Sequence, residues 1–94
     1  MKKSALTARV KRCDSILFRK TDEEAVLFDE DKGEAFLLNE TGYFLFERID
    51  GHKTVKQLVD EAVGFFDGES RQVAEEVLDW IGEMHKLNIL ETVS

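Results

Sequence analysis

The apolar residues of this chain change period at Asn39, and that change limits the fold more than any other feature. Before it lie three short apolar runs, Ser15 to Lys20 (SILFRK), Ala25 to Asp29 (AVLFD) and Glu34 to Asn39 (EAFLLN), each flanked by polar clusters. Such runs read as strands. EDKG, residues 30–33, reads as a turn that uses Gly33 at positive φ, and both connections are short enough for hairpins. A three-stranded antiparallel meander with Ala25 to Asp29 in the middle is the simplest arrangement.

After Asn39 the spacing is helical. Asn39 is a good N-cap for a helix from about Glu40 to Ile49, with Tyr43, Phe44, Phe46 and Ile49 as its apolar content and Gly51 as its stop. Gly42 inside that helix costs about 1 kcal/mol relative to Ala, so it marks the close approach of another backbone. Thr54 with Gln57 makes a capping box, and Val55, Leu58, Val59, Ala62, Val63 and Phe66 follow with helical spacing. DGES, residues 67–70, interrupts. A third helix runs from about Ser70 to Leu87, stopped by Asn88 at C′, and the tail Ile89 to Val93 is apolar enough to pack back or to form one more short strand.

On a wheel of the third helix the polar residues Glu75, Lys86, Asp79, Gln72, Glu83 and Glu76 fill about 100°. The apolar arc is about 180° wide, more than packing on a single core requires. Trp80, Val73, Val77 and Met84 lie together on one side of it, and an aromatic beside a flexible Met suits an adaptable apolar groove.

Charge divides unevenly. Residues 1–20 carry seven basic residues and one acid, residues 21–53 three and ten, and residues 54–94 three and nine, for a net charge of −7. A duplex-binding domain concentrates Lys and Arg where it meets phosphate, so nucleic acid is disfavoured as a partner. Residues 1–14 show no period and read as a basic N-terminal arm; residues 15–94 read as one domain. The absence of Pro and the six Gly favour helices with a few short strands. No apolar run approaches the 18 or so residues that span a bilayer, and no secretion signal is visible, so the expected location is the cytoplasm with no membrane partner.

Nothing resembles a catalytic constellation. His52, His85 and Cys13 are scattered without metal-ligand spacing, and no glycine-rich phosphate loop, GxSxG or HExxH is present, so the expectation is a protein without enzymatic activity, metal or cofactor. The remaining resource is the sheet edge. The first strand ends in Arg19 and Lys20, which blunt it, whereas the third, Ala35 to Leu38, is apolar and has neither Lys nor Pro. An extended peptide can add there as a further strand, and a second copy of the chain can pair there to form a homodimer.

LLNETG (Leu37 to Gly42), ERIDG (Glu47 to Gly51) and TVKQLV (Thr54 to Val59), following AVLFDEDKGEAF, resemble the PqqD-like family, the RiPP recognition elements, over about residues 15 to 92. The resemblance implies an α+β, winged-helix-like domain: a three-stranded antiparallel β-meander followed by three α-helices. It implies a non-catalytic adaptor that binds the leader segment of a ribosomally made precursor peptide and delivers it to a modifying enzyme, whether a radical SAM maturase, a cyclodehydratase or a leader peptidase. The leader is then expected antiparallel to the third strand, on the backbone of Glu34, Ala35, Phe36, Leu37 and Leu38, and against the third helix. Helical phase assigns Val73, Val77, Trp80 and Met84 to that side. The aromatic-rich YFLF, Tyr43 to Phe46, departs from the family's more modest apolar pattern. Two other classes fit the same topology: a scaffold subunit of a maturase complex, and a winged-helix regulator, which the acids of the third helix oppose.

Overall fold

The computed structural model describes residues 6–93. Three strands, β2 (Ile16–Lys20), β3 (Ala25–Asp29) and β4 (Glu34–Leu38), form an antiparallel sheet in the order β2-β3-β4. The register sets Leu27 opposite both Phe18 and Phe36, and Phe28 opposite both Leu17 and Ala35. Successive side chains therefore alternate between a core face, with Ile16, Ala25 and Leu27 buried, and an outer face, with Leu17, Phe28 and Leu37 exposed. Asp29 is the one buried charged residue among those described. Its carboxylate accepts from the N–H groups of Asp31 and Lys32, and Gly33 closes the turn at φ 68°. This side-chain turn gives the β3–β4 connection its shape.

Three helices follow: α1 (Glu40–Arg48), α2 (Val55–Phe65) and α3 (Ser70–Lys86). Their ends are where the capping residues put them. Asn39 Oδ1 accepts from the N–H of Gly42 at 2.8 Å, and Thr54 and Gln57 make both hydrogen bonds of the capping box. Gly51 adopts φ 86° after α1, and Asn88 adopts φ 60° after α3. The core lies between the inner sheet face and the helices, with Leu27, Leu45, Phe46, Leu58, Val77 and Ile89 fully enclosed. Each such side chain contributes roughly 1.5–3 kcal/mol through removal from water.

The basic segment preceding the sheet does not stay outside this core. Val10–Arg12 forms β1, which pairs antiparallel with β5 (Leu90–Thr92), and Val10 and Leu90 are both buried. A run such as VKR has too few residues to display a period, so its pairing depends on the partner strand. Residues 1–5 of the basic arm lie outside the described residues. Arg12 is drawn inward: its guanidinium lies 4.2 Å above the Phe46 ring and donates to the Phe46 carbonyl oxygen at 2.6 Å. Among the described residues no helix is long and apolar enough to cross a membrane.

Candidate functional site

β4 is an edge strand, paired with β3 on one side, and no other described strand covers its second side. Two ties align that edge with α3. In the turn that leads into β4, Lys32 Nζ donates to the carbonyl oxygen of Leu87, the C-cap of α3, at 3.1 Å. Beyond the end of β4, Thr41 Oγ1 donates to Glu76 Oε1 at 2.8 Å. β4 and α3 therefore run in opposite directions. Five strand residues span about 16 Å, and the eleven helical steps from Glu76 to Leu87 span about 16 Å as well. The edge and the helix stripe are matched in length.

Gly42 sets how closely they meet. A Cβ placed there would come within 2.8 Å of Trp80 Nε1 and 3.2 Å of Leu38 Cδ2. Its missing side chain seats the indole of Trp80 against α1, beside the end of β4. The close neighbour expected at Gly42 is thus a side chain and not another backbone. An indole is flat enough to use the gap that one absent methyl leaves.

The nine residues expected at the site divide into three groups. Glu34, Ala35 and Leu37 lie exposed along the edge strand, with the Leu37 side chain on the outer sheet face. Phe36 and Leu38 point inward and are half-buried, as are Val73 and Trp80 on α3. Val77 and Met84 belong to the core, at 0% and 8% exposure. The stripe of α3 that accompanies Trp80 instead carries Glu76, Glu83 and Leu87, the run Glu76, Trp80, Glu83, Leu87 stepping by four, three and four residues. The wheel does not single these three out, because it orders residues around a helix without saying which direction faces the strand, and Thr41 and Lys32 enter only through contacts made across the fold. The contiguity of Leu87 with Trp80 was the available signal.

The chemistry offered is recognition. Backbone groups on an open edge are able to pair with an added strand, half-buried Phe36, Leu38 and Trp80 offer apolar surface beside it, and Glu76 and Glu83 offer negative charge. Burial first, then the neighbouring Glu91 carboxylate, pushes the Cys13 thiol up to about 11, which disfavours its thiolate form. His85 Nε2 lies 2.9 Å from Thr92 Oγ1, and no cluster of three His, Cys, Asp or Glu among the described residues is arranged to hold a metal.

A family model described as coenzyme PQQ synthesis protein D (PqqD) matches residues 24–90. Among solved structures, a similar chain is that of TbiB1 in complex with the TbiA(beta) leader peptide, at TM-score 0.77 and 20% identity over 89% of this chain and 98% of that one. Another is lasso peptide synthetase B1 complexed with the leader peptide, at TM-score 0.77 and 17% identity over 89% and 99% of the two chains. At these identities the likeness is one of fold. No curated protein matches this chain.

Proposed function

This chain belongs to the PqqD family, and on that premise we propose that it is a non-catalytic adaptor for a ribosomally synthesised precursor peptide. The leader segment adds to β4 as a fourth strand and is carried to a modifying enzyme, a radical SAM maturase, a cyclodehydratase or a leader peptidase. The observation that carries this reading is the open edge of β4 lying alongside an equally long stripe of α3, tied to it at both ends. That the two similar solved chains are named as leader-peptide complexes supports it. A leader antiparallel to β4 runs parallel to α3. Its backbone pairs with Glu34 to Leu38, its inward side chains rest on Phe36, Leu38 and Trp80, and a Lys or Arg on it meets Glu76 or Glu83.

Trp80 is the chain's single tryptophan and reports directly on this site. The test is a fluorescence-polarisation titration with labelled leader segments from short open reading frames near the gene, with Trp80 emission followed in parallel. Scrambled peptides and duplex DNA serve as controls. Saturable, sequence-dependent binding of one leader, with a shift in Trp80 emission, is expected. Equal affinity for scrambled peptide, tighter binding to DNA, or silence from every leader would overturn the reading, the last in favour of a scaffold subunit.

A further inference from the structure

The YFLF run of α1 does more than fill the core. Phe44, Leu45 and Phe46 are buried, but on the face of α1 opposite Gly42 the Phe44 ring meets Phe65 and Phe66 at the end of α2, and Tyr43, stacked on Phe18, borders that face. Together they floor a cavity of about 560 Å³. Phe44 and Phe65 pack tilted by 33° with ring centroids 4.6 Å apart, Phe66 lies 5.1 Å from Phe44 and 5.0 Å from Phe65, and Phe65 remains 64% exposed. An aromatic side chain left so open on a preformed aromatic cluster is the usual makeup of a recognition surface.

The rim decides the sign of the partner. Glu40, Glu47 and Asp67 border the cavity, and Arg48 is its one cation. That cation is already committed within the chain: its guanidinium lies 3.6 Å over Phe44, donates to the Phe44 carbonyl oxygen, and is 3.8 Å from Glu61. Glu40 and Asp67 make no ion pair among the described residues. The cavity therefore couples an aromatic floor to a rim of net negative charge, on which Glu47 is engaged, 4.0 Å from Arg48 and accepting from the Tyr43 hydroxyl, and Glu40 and Asp67 are not ion-paired among the described residues.

We infer that this cavity docks a cationic segment of a partner protein, one that sets an aromatic or aliphatic anchor against Phe65 and flanking Lys or Arg side chains against Glu40, Glu47 and Asp67. A cation beside Phe65 gains further from the ring face. The cavity and the leader edge lie on opposite faces of α1, so both are occupied at once. Assigning the segment to the modifying enzyme that receives the leader rests on the adaptor reading; the chemistry of the docking does not.

The test uses a labelled short peptide with a central Trp flanked by Leu, Lys and Arg, beside its counterpart with Glu at every Lys and Arg. The cationic peptide is expected to bind saturably and more weakly at high salt, and the acidic one to bind roughly tenfold more weakly or less. Phe65→Ser and, separately, Asp67→Lys are each expected to lower affinity for the cationic peptide about tenfold. Both sites are exposed, and a thermal melt reports whether the fold is kept. Saturating the protein with a bound leader is expected to leave the cationic peptide's affinity unchanged. Should no leader bind, the peptide titration still decides this site independently. Equal binding of both peptides, indifference to Phe65→Ser and Asp67→Lys, displacement by leader, or self-association lost in Phe65→Ser, which makes a second copy the occupant, would each overturn the inference.

Discussion

A single absent methyl group organises the proposed leader site. Alanine at position 42 is a better helix former than glycine by about 1 kcal/mol, yet its Cβ would stand 2.8 Å from Trp80 Nε1. Crowding of this kind costs roughly 1–3 kcal/mol, and the side chain that must give way is Trp80. Gly42→Ala is expected to lose about 1 kcal/mol net in urea unfolding, to shift Trp80 emission in the folded protein, and to weaken leader binding. An unshifted emission spectrum would mean the indole is not seated there. The glycine was readable in the sequence as a close approach, because helix interiors discriminate against it; the identity of its neighbour was not, since Trp80 lies in another helix.

At the scale of elements, β4 and α3 have separable roles. β4 has only five residues and one paired side, so its peptide groups are its functional resource. Leu37→Pro fixes φ and removes an N–H from this strand. It is expected to abolish leader binding, measured by polarisation, with the helical circular-dichroism signal as the check that α1, α2 and α3 persist. Glu75 is on the solvent side of α3, 3.6 Å from Arg71 in a well-exposed pair. Glu75→Gln is expected to change leader affinity less than about twofold, and salt to erase the difference. Equal losses in the two variants would argue against strand addition. The limits of β3, α1, α2 and α3 were legible to within a residue or two because caps and turns are local: Asn39, Thr54, Gln57, Gly33 and Asn88 each act within four residues of themselves. The division of α3 into core and groove was legible only in part. Its wide apolar arc announced two uses, but Val77 and Met84 went to the core and Leu87 to the margin, because the sheet and α1 decide which direction is inward.

Across the whole molecule, the first and last described strands close on each other. Lys11 Nζ and Glu91 Oε1 lie 2.9 Å apart across β1 and β5. The Lys11 hydrogen bond holds the Glu91 carboxyl below its ordinary value of 4.5, and the Glu91 partner raises Lys11 above 10.5. A carboxylate whose folded pKa is depressed contributes stability that is complete above its unfolded value and is lost as pH falls through the folded one. The wild-type urea midpoint is therefore expected to decline below about pH 4.5 more steeply than that of Glu91→Gln. Superimposable midpoint profiles would show that the pair does not strengthen the β1–β5 closure. Both partners are well exposed, so the difference is small and diminishes with salt.

The sequence alone determined the order and kind of β2, β3, β4, α1, α2 and α3, the open apolar edge, the acidic surface and the resemblance to the PqqD-like family. Periodicity, capping and turn chemistry operate over a few neighbouring residues, and an edge left open to pairing shows itself by lacking the Lys and Pro that guard other edges. Tertiary structure decided the rest: the pairing of β1 with β5, the seating of Trp80 on Gly42, the alignment of β4 with α3 through Lys32 and Thr41, and the aromatic cavity between α1 and α2. Each of these joins residues that lie far apart along the chain, such as Val10 with Thr92 or Thr41 with Glu76. No local pattern carries such a contact, because it forms only when burial of the common core brings the two segments together.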